Sequence, residues 1–251
     1  MPRAGPGYTA PAAVMIKTTQ DQLAFGVVPA YRKYELYQAR YHELVPVVAE
    51  AMKTKGAALK VLDIGPGNGE AKKFVDALAG PAEWTAVEVV PRYIEACKKV
   101  GYGTIVEGVD LEQQPLPMAD GTYDVVIASH VLEHLANASD AWKDWLRVLK
   151  PGGHLLIGVP MHPGWLAFLG RLRFRLFGRK PRAHCLFFSM RTLRAFFRDA
   201  PVTRVWGFRF FSARQWVPFE DWEWFWKLSR WVGQKAPSLT GEVIVHLEKR
   251  S

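Results

Sequence analysis

The chain has little cysteine, no long apolar run and, over one stretch, no acid. Two cysteines, Cys97 and Cys185, stand among 251 residues. That number excludes a disulfide framework and suits a reducing compartment. Neither cysteine has a metal-ligand spacing or the basic surroundings of a reactive thiol. No uninterrupted apolar stretch of about 18 residues occurs, so nothing reads as a membrane-spanning helix. The opening Met1 to Ala13 is rich in Pro, Gly and Ala. It lacks the apolar centre of a signal peptide and reads as a flexible tail. The expected location is cytoplasmic. From Trp145 to Arg198 there is no Asp or Glu, while eleven Lys and Arg fall in those 54 residues. The whole chain carries +9, so everything outside that stretch is about −2.

What is present is led by Val61-Leu62-Asp63-Ile64-Gly65-Pro66-Gly67-Asn68-Gly69-Glu70. An apolar run ends at Asp63, glycines follow at alternate positions, and a helix-like segment runs on to Leu78. A strand, a tight turn and a helix N-terminus present free backbone N–H groups to a ligand. Asp63 argues against a dinucleotide, because a carboxylate at the strand end repels a pyrophosphate. A ligand with both an ammonium and a carboxylate suits the site better. Its ammonium meets Asp63 and its carboxylate meets the turn and the positive helix end. The methionine part of S-adenosylmethionine is such a ligand.

Further strands follow in order. Trp84 to Val90 is apolar except for Glu88, 21 residues after Gly67. That is near the spacing at which an acid meets ribose hydroxyls. Pro91 opens a helix and Gly101 ends it. Gly103 to Val106 is a short strand leading to Gly108-Val109-Asp110-Leu111. Tyr123 to Ala128 is a fourth strand, followed by Ser129-His130-Val131-Leu132-Glu133-His134. A helix capped by Asn137 or Ser139 stops at Lys150-Pro151-Gly152-Gly153, and His154 to Val159 is a fifth strand.

These residues resemble the class I S-adenosylmethionine-dependent methyltransferases, over about residues 58–160. The likeness is to the type-11 domain group, which includes ubiquinone-biosynthesis and many lipid, sugar and natural-product enzymes. The resemblance implies an α/β fold. Its sheet is Rossmann-like, seven-stranded and mostly parallel, with helices on both faces. It also implies that Asp63, Gly65, Pro66, Gly67 and Asn68 hold the methionine end of the cofactor. Glu88 and Val89 then meet the ribose, Asp110 and Leu111 frame the adenine, and Ser129 and His130 lie beside the sulfonium.

Chemistry asks little of such a site. The methyl is already activated, so acceptor, methyl and sulfur must be aligned and water excluded. An oxygen or nitrogen acceptor also needs its proton taken, and His130 at the end of the fourth strand is the best-placed base. A structural cap of the strand end is the alternative for His130. His134, Trp165 and His184 are candidate substrate contacts. Glu133-His134 matches a metal-holding pair of some quinone O-methyltransferases. The further acid of that pattern is replaced by His130, and no metal is expected.

The acid-free stretch reads as a lid after the fifth strand. On a helix, Trp165, Leu169, Leu172 and Leu176 form one stripe, with Phe168 beside it and Arg171 and Arg175 flanking. The alternation around Arg173 also permits a short strand. The segment suits an anionic membrane surface at Trp165, Phe168, Arg171, Arg173 and Arg175. It also suits RNA, or a plain lid with its arginines in water. Ser189 caps a helix to Arg198. Val202 to Phe211 is a sixth strand and Glu242 to Leu247 an antiparallel seventh at the sheet end. Phe219 to Val232, with Trp222, Trp224, Phe225, Trp226 and Trp231, reads as a helix either buried on several sides, packing against the lid, or lying at an interface. Val28 to Met52 reads as a helix with Tyr31, Tyr34, Tyr41 and Val45 near one face. The domain is expected over 56–251, after a tail and helix in 1–55, with insertions at about 161–188 and 212–240. The sequence therefore points to methyl transfer onto an oxygen or nitrogen of an apolar or membrane-associated small molecule, at the inner face of a membrane. An RNA methyltransferase and an inactive binding module are the alternatives. No Asn-Pro-Pro-Tyr type of base-methylase signature follows the fourth strand.

Overall fold

The computed structural model describes residues 39–55, 59–162, 186–209 and 223–250, together with Gly164, Phe168 and Leu172. The expected tail, Tyr31 and Tyr34 lie outside these residues. So do Trp165, Arg171, Arg173, Arg175, His184, Cys185 and Trp222.

Seven strands form one sheet in the order β3-β2-β1-β4-β5-β7-β6. They are β1 (Lys60–Ile64), β2 (Glu83–Glu88), β3 (Thr104–Glu107), β4 (Tyr123–Ser129), β5 (Leu149–Pro160), β6 (Val202–Gly207) and β7 (Glu242–Glu248). The pairings among β1 to β5 are parallel. β7 runs antiparallel to both β5 and β6. It therefore lies one strand in from the sheet end, with β6 outside it. Near-continuous apolar runs make strands that are covered on both faces. Val61, Leu62, Ile64 and Val125 to Ala128 are accordingly buried.

Six helices have described bounds: α1 (Ala39–Lys55), α2 (Glu70–Leu78), α3 (Pro91–Val100), α4 (Ala138–Arg147), α5 (Met190–Phe196) and α6 (Glu223–Lys235). The punctuation works as its chemistry directs. Pro91 takes the first position of α3, and Gly101 closes it in the left-handed region at φ 83°. Ser189 and Thr192 form a reciprocal capping box on α5. α4 begins after Asn137, whose side chain does not cap it. Its amide Nδ2 donates instead to the Leu111 and Glu112 carbonyls, tying the helix start to the loop after β3.

Two apolar layers flank the sheet. One holds Trp145, Trp142, Leu132, Leu155 and Phe197. The other holds Phe74, Leu44, Val45, Trp84 and Tyr102. Each such side chain, taken fully out of water, contributes about 1.5–3 kcal/mol. β5 starts earlier than the glycine pair implies. Leu149 already pairs with Tyr123, and the register shifts before Val125 meets His154. β6 ends at Gly207, short of the expected Phe211, which lies outside the described residues.

Candidate active site

The parallel strands deliver their C-terminal ends to one open cavity of about 750 Å³. Gly65 and Gly67 line it from the turn after β1, Glu88 and Val89 from the end of β2, and Asp110 and Leu111 from the loop after β3. His130, Val131 and His134 close the side after β4. This is where open parallel sheets hold ligands.

The turn after β1 needs its glycines. Gly65 and Gly67 stand at φ 64° and 57°, which costs an ordinary residue strain. A Cβ on Gly65 would also meet Val131 Cγ2 at 2.7 Å, whereas Gly67 faces open space. The turn is thus pressed against the segment after β4 at one glycine and open at the next.

Glu88 is the best-defined acid of the cavity. It is buried, and its Oε2 accepts from the Gly67 N–H at 3.2 Å. Oε1 accepts from the Val89 and Val90 N–H groups at 2.9 and 3.0 Å. The carboxylate locks the glycine turn to the β2 end and keeps lone pairs for two ligand hydroxyls. Asp63 is placed differently. It lies beneath the turn rather than on the cavity wall, and the Tyr102 hydroxyl donates to its Oδ2 at 2.6 Å. Burial raises its carboxyl to about 7. The Tyr102 hydroxyl opposes that rise and the Glu88 charge adds to it. Asp110 is exposed and turned to its own loop, accepting from the Glu112 N–H at 2.9 Å and Gln113 Nε2 at 2.7 Å. Pro66, Asn68 and Ser129 are not among the residues that line the cavity.

His130 is the one non-glycine residue at positive φ among those described, at 58°. Its N–H donates to the Gly158 carbonyl at 2.9 Å, which fixes the backbone at that angle. The ring stands between two buried carboxylates. Nδ1 is 3.0 Å from Glu133 Oε1, and Nε2 is 3.3 Å from Glu242 Oε2. These are ion-pair distances; the groups are not aligned as hydrogen bonds. Burial disfavours the imidazolium, but Glu133 and Glu242 outweigh it and hold the ring above its ordinary value. Glu133 is fully buried, and no hydrogen bond reaches either of its oxygens. Glu242 has more support: Arg40 Nη2 at 2.9 Å, Arg40 Nε at 3.1 Å and Arg209 Nη1 at 2.8 Å. Despite burial, His130 and the arginines hold Glu242 down at about 2.

The sequence does not reveal this cluster. Arg40 and Glu242 are 202 residues apart. Only the i, i+3 spacing of His130 and Glu133 was legible. Arg92 and Tyr93 were also missed at the cavity wall, where Arg92 Nη2 donates to the Tyr93 hydroxyl at 2.8 Å. Trp165 and His184, the remaining substrate candidates, lie outside the described residues. Among the described residues no group of three or more His, Cys, Asp or Glu could hold a metal ion.

The cavity fits a nucleoside with an amino-acid tail: an open glycine turn, a buried acid at the β2 end and apolar walls at Val87, Leu111 and Leu135. Known proteins agree. The family described as methyltransferase domain matches residues 62–157. The ubiquinone/menaquinone biosynthesis C-methyltransferase UbiE of Pseudomonas fluorescens is 32% identical over 131 residues, 49% of this chain and 50% of that one. A highly reducing polyketide synthase, resH, of Aspergillus sclerotiorum is 30% identical over 57% of this chain and 6% of its own length. The chain thus spans about half the length of the first relative and a small part of the second. Two solved structures share the fold. The CurJ carbon methyltransferase has a TM-score of 0.59 at 16% identity, covering 92% of this chain and 60% of that one. A putative sarcosine dimethylglycine methyltransferase from Galdieria sulphuraria has 0.57 at 18%, covering 84% and 85%. Residues 62–157 thus carry a methyltransferase domain, set in a sheet whose fold is that of S-adenosylmethionine-dependent methyltransferases.

Proposed function

We propose that this protein transfers the methyl group of S-adenosylmethionine to an oxygen or nitrogen of an apolar or membrane-associated small molecule, such as a lipid, a quinone or a lipid-linked sugar. The cofactor supplies an activated methyl. The residues around it bind, orient and handle one proton. Glu88 and the glycine turn receive the ribose and the methionine end, and Asp63 balances the ammonium from below. Leu111 and the Asp110 loop take the adenine.

The observation that carries the reading is His130, set into the cavity wall with Glu133 behind it. A buried carboxylate with one cationic partner raises the basicity of that partner. His130 is then a base whose conjugate acid is stabilised as it accepts the acceptor's proton. A carbon acceptor is the second reading, favoured by the relatives named for C-methylation. It needs the same proton removal, from a carbon acid. The apolar acceptor class rests on the acid-free stretch from 145 to 198, whose arginines suit an anionic surface.

The test is methyl transfer from labelled cofactor onto lipid and RNA extracts. Label in the lipid fraction supports the proposal. Label in RNA alone replaces it, and no label in either overturns it. Each nearby Arg is drawn to an anionic surface by about 1 kcal/mol, so reversing Arg171, Arg173 and Arg175 to Glu should abolish vesicle binding. Cofactor affinity should stay unchanged.

A further inference from the structure

Seven large apolar residues are exposed among those described, and five of them stand on two helical stretches outside the sheet. Phe168 and Leu172, at helical spacing after β5, are 57% and 40% exposed. Trp224, Leu228 and Trp231 on α6 are 58%, 41% and 60% exposed. The last three sit at i, i+4 and i+7, on one face of the helix.

α6 turns the usual arrangement of a surface helix around. Its inward line is Phe225, Ser229 and Gly233. At Gly233 the helix touches the sheet backbone, since a Cβ there would meet the Gly207 carbonyl oxygen at 2.2 Å. Arg230 pairs with the buried Glu43 of α1. Phe225 with two small residues and Arg230 thus holds α6 inward, while two tryptophans and a leucine are exposed. Ordinary surface helices bury their large apolar stripe and leave charge outside. Trp224 and Trp231 are exposed, and the lid expected to pack against this helix lies mostly outside the described residues. The outward stripe is flanked by exposed Lys227 and Lys235. The chain also holds eleven basic residues and no acid between Trp145 and Arg198.

We propose that the outward face of α6 is a docking surface for an anionic lipid bilayer. Trp224, Leu228 and Trp231 enter the headgroup boundary, and Lys227 and Lys235 lie along it. Tryptophan suits that depth, because its ring is apolar and its N–H still finds water or a headgroup. Apolar burial and cationic attraction together are what hold an interfacial helix in place. This proposal rests on the membrane-associated acceptor proposed above and adds the surface by which the enzyme reaches it.

The experiment is flotation of the full chain with phosphatidylcholine vesicles, with and without phosphatidylglycerol, at low and high salt. The wild type should float with the anionic vesicles only and less at high salt. A Trp224→Ala, Leu228→Ala, Trp231→Ala variant should bind on the order of thirtyfold more weakly, as expected from losing three partly inserted side chains. A Lys227→Glu, Lys235→Glu variant should also lose binding. Unchanged cofactor affinity and melting temperature show that the variants are folded. A wild type that does not float overturns the proposal. So does a triple variant that floats like wild type, or one whose loss tracks a dimer becoming a monomer. Transfer to a detergent-dispersed lipid extract is measured in parallel. If it persists where flotation fails, the docking surface is wrong and the acceptor class stands.

Discussion

The cavity wall and the outer face of α6 invert each other's rules. At the cavity, charge is inside: Glu133, Glu242 and Arg209 are buried, with His130 between the two acids. At α6, apolar bulk is outside. Burying charge is expensive, and it is tolerated where each ion has a partner. Exposing tryptophan is likewise unfavourable for a free surface and is normal for one that docks. Each region departs from ordinary packing, and each departure lies where the proposals above put chemistry or contact. The apolar strand interiors, such as Val61 to Leu62 and Val125 to Ala128, follow the ordinary pattern.

The sharpest way to break this contrast is at His130. If the ring is the base, His130→Ala should lower turnover by about 10²–10⁴-fold with little change in cofactor affinity. The carboxylates hold the ring above its ordinary value, so the base form appears only as pH rises. Wild-type turnover should therefore climb with pH through a midpoint above about 6.5. A pH-independent rate, or an Ala variant within a few-fold of wild type, would remove His130 from the chemistry and leave it a cap of the strand end.

Next in size is the stability held by Glu242. Glu242→Ala leaves Arg40 and His130 without a shared carboxylate in a buried site. The expected loss is about 3–5 kcal/mol, read from denaturant unfolding. A loss within about 1 kcal/mol would mean that water reaches the cluster, and the contrast with the outer face would weaken.

How much of this was legible depends on the distance over which a signal acts. Strand and helix ends near Gly65, Pro91, Gly101 and Ser189 were legible, because a glycine at positive φ, a proline or a cap acts on its neighbours. The Glu88 position was legible from its spacing after the glycine turn. The Arg40–Glu242–His130 cluster was not, since it joins the first described helix to the last strand. The orientation of α6 was not legible for a related reason. Aromatics on several sides of a helix state only that something must cover them. Gly233 against Gly207 decides which side faces the sheet, and that contact has no local signature. Asp63 was identified as the acid of the turn, but its partner Tyr102, 39 residues on, was not.

A smaller effect is expected at Asp63. Asp63→Ala should weaken cofactor binding by roughly tenfold to a hundredfold, about 1.5–3 kcal/mol, through loss of the ammonium's counter-charge. Because Asp63 lies beneath the turn, the effect should appear without change in the acceptor's apparent affinity. Calorimetry showing wild-type binding would restrict Asp63 to its structural bond with Tyr102.

The smallest effect is a pH dependence with an unusual sign for an aspartate. In the folded protein the Asp63 carboxyl sits at about 7, against an ordinary 3.8. Between those values the folded chain keeps a proton that the unfolded chain has released. Stability from this group is therefore present below the unfolded value and falls as pH rises toward 7. Glu242, held at about 2, acts the other way, and its share is lost as pH falls from about 4.5. Asp63→Asn isolates the first contribution, because the amide keeps the shape and cannot ionise. Its stability should fall less than that of the wild type between about pH 4 and 7, while both share the acid limb set by Glu242. A bound ammonium would favour the carboxylate, so cofactor binding near pH 6 should release protons in the wild type and fewer in Asp63→Asn. Calorimetry in buffers of different ionisation enthalpy reads that difference. Equal release from both would show that the carboxyl beneath the glycine turn is already ionised before the cofactor arrives.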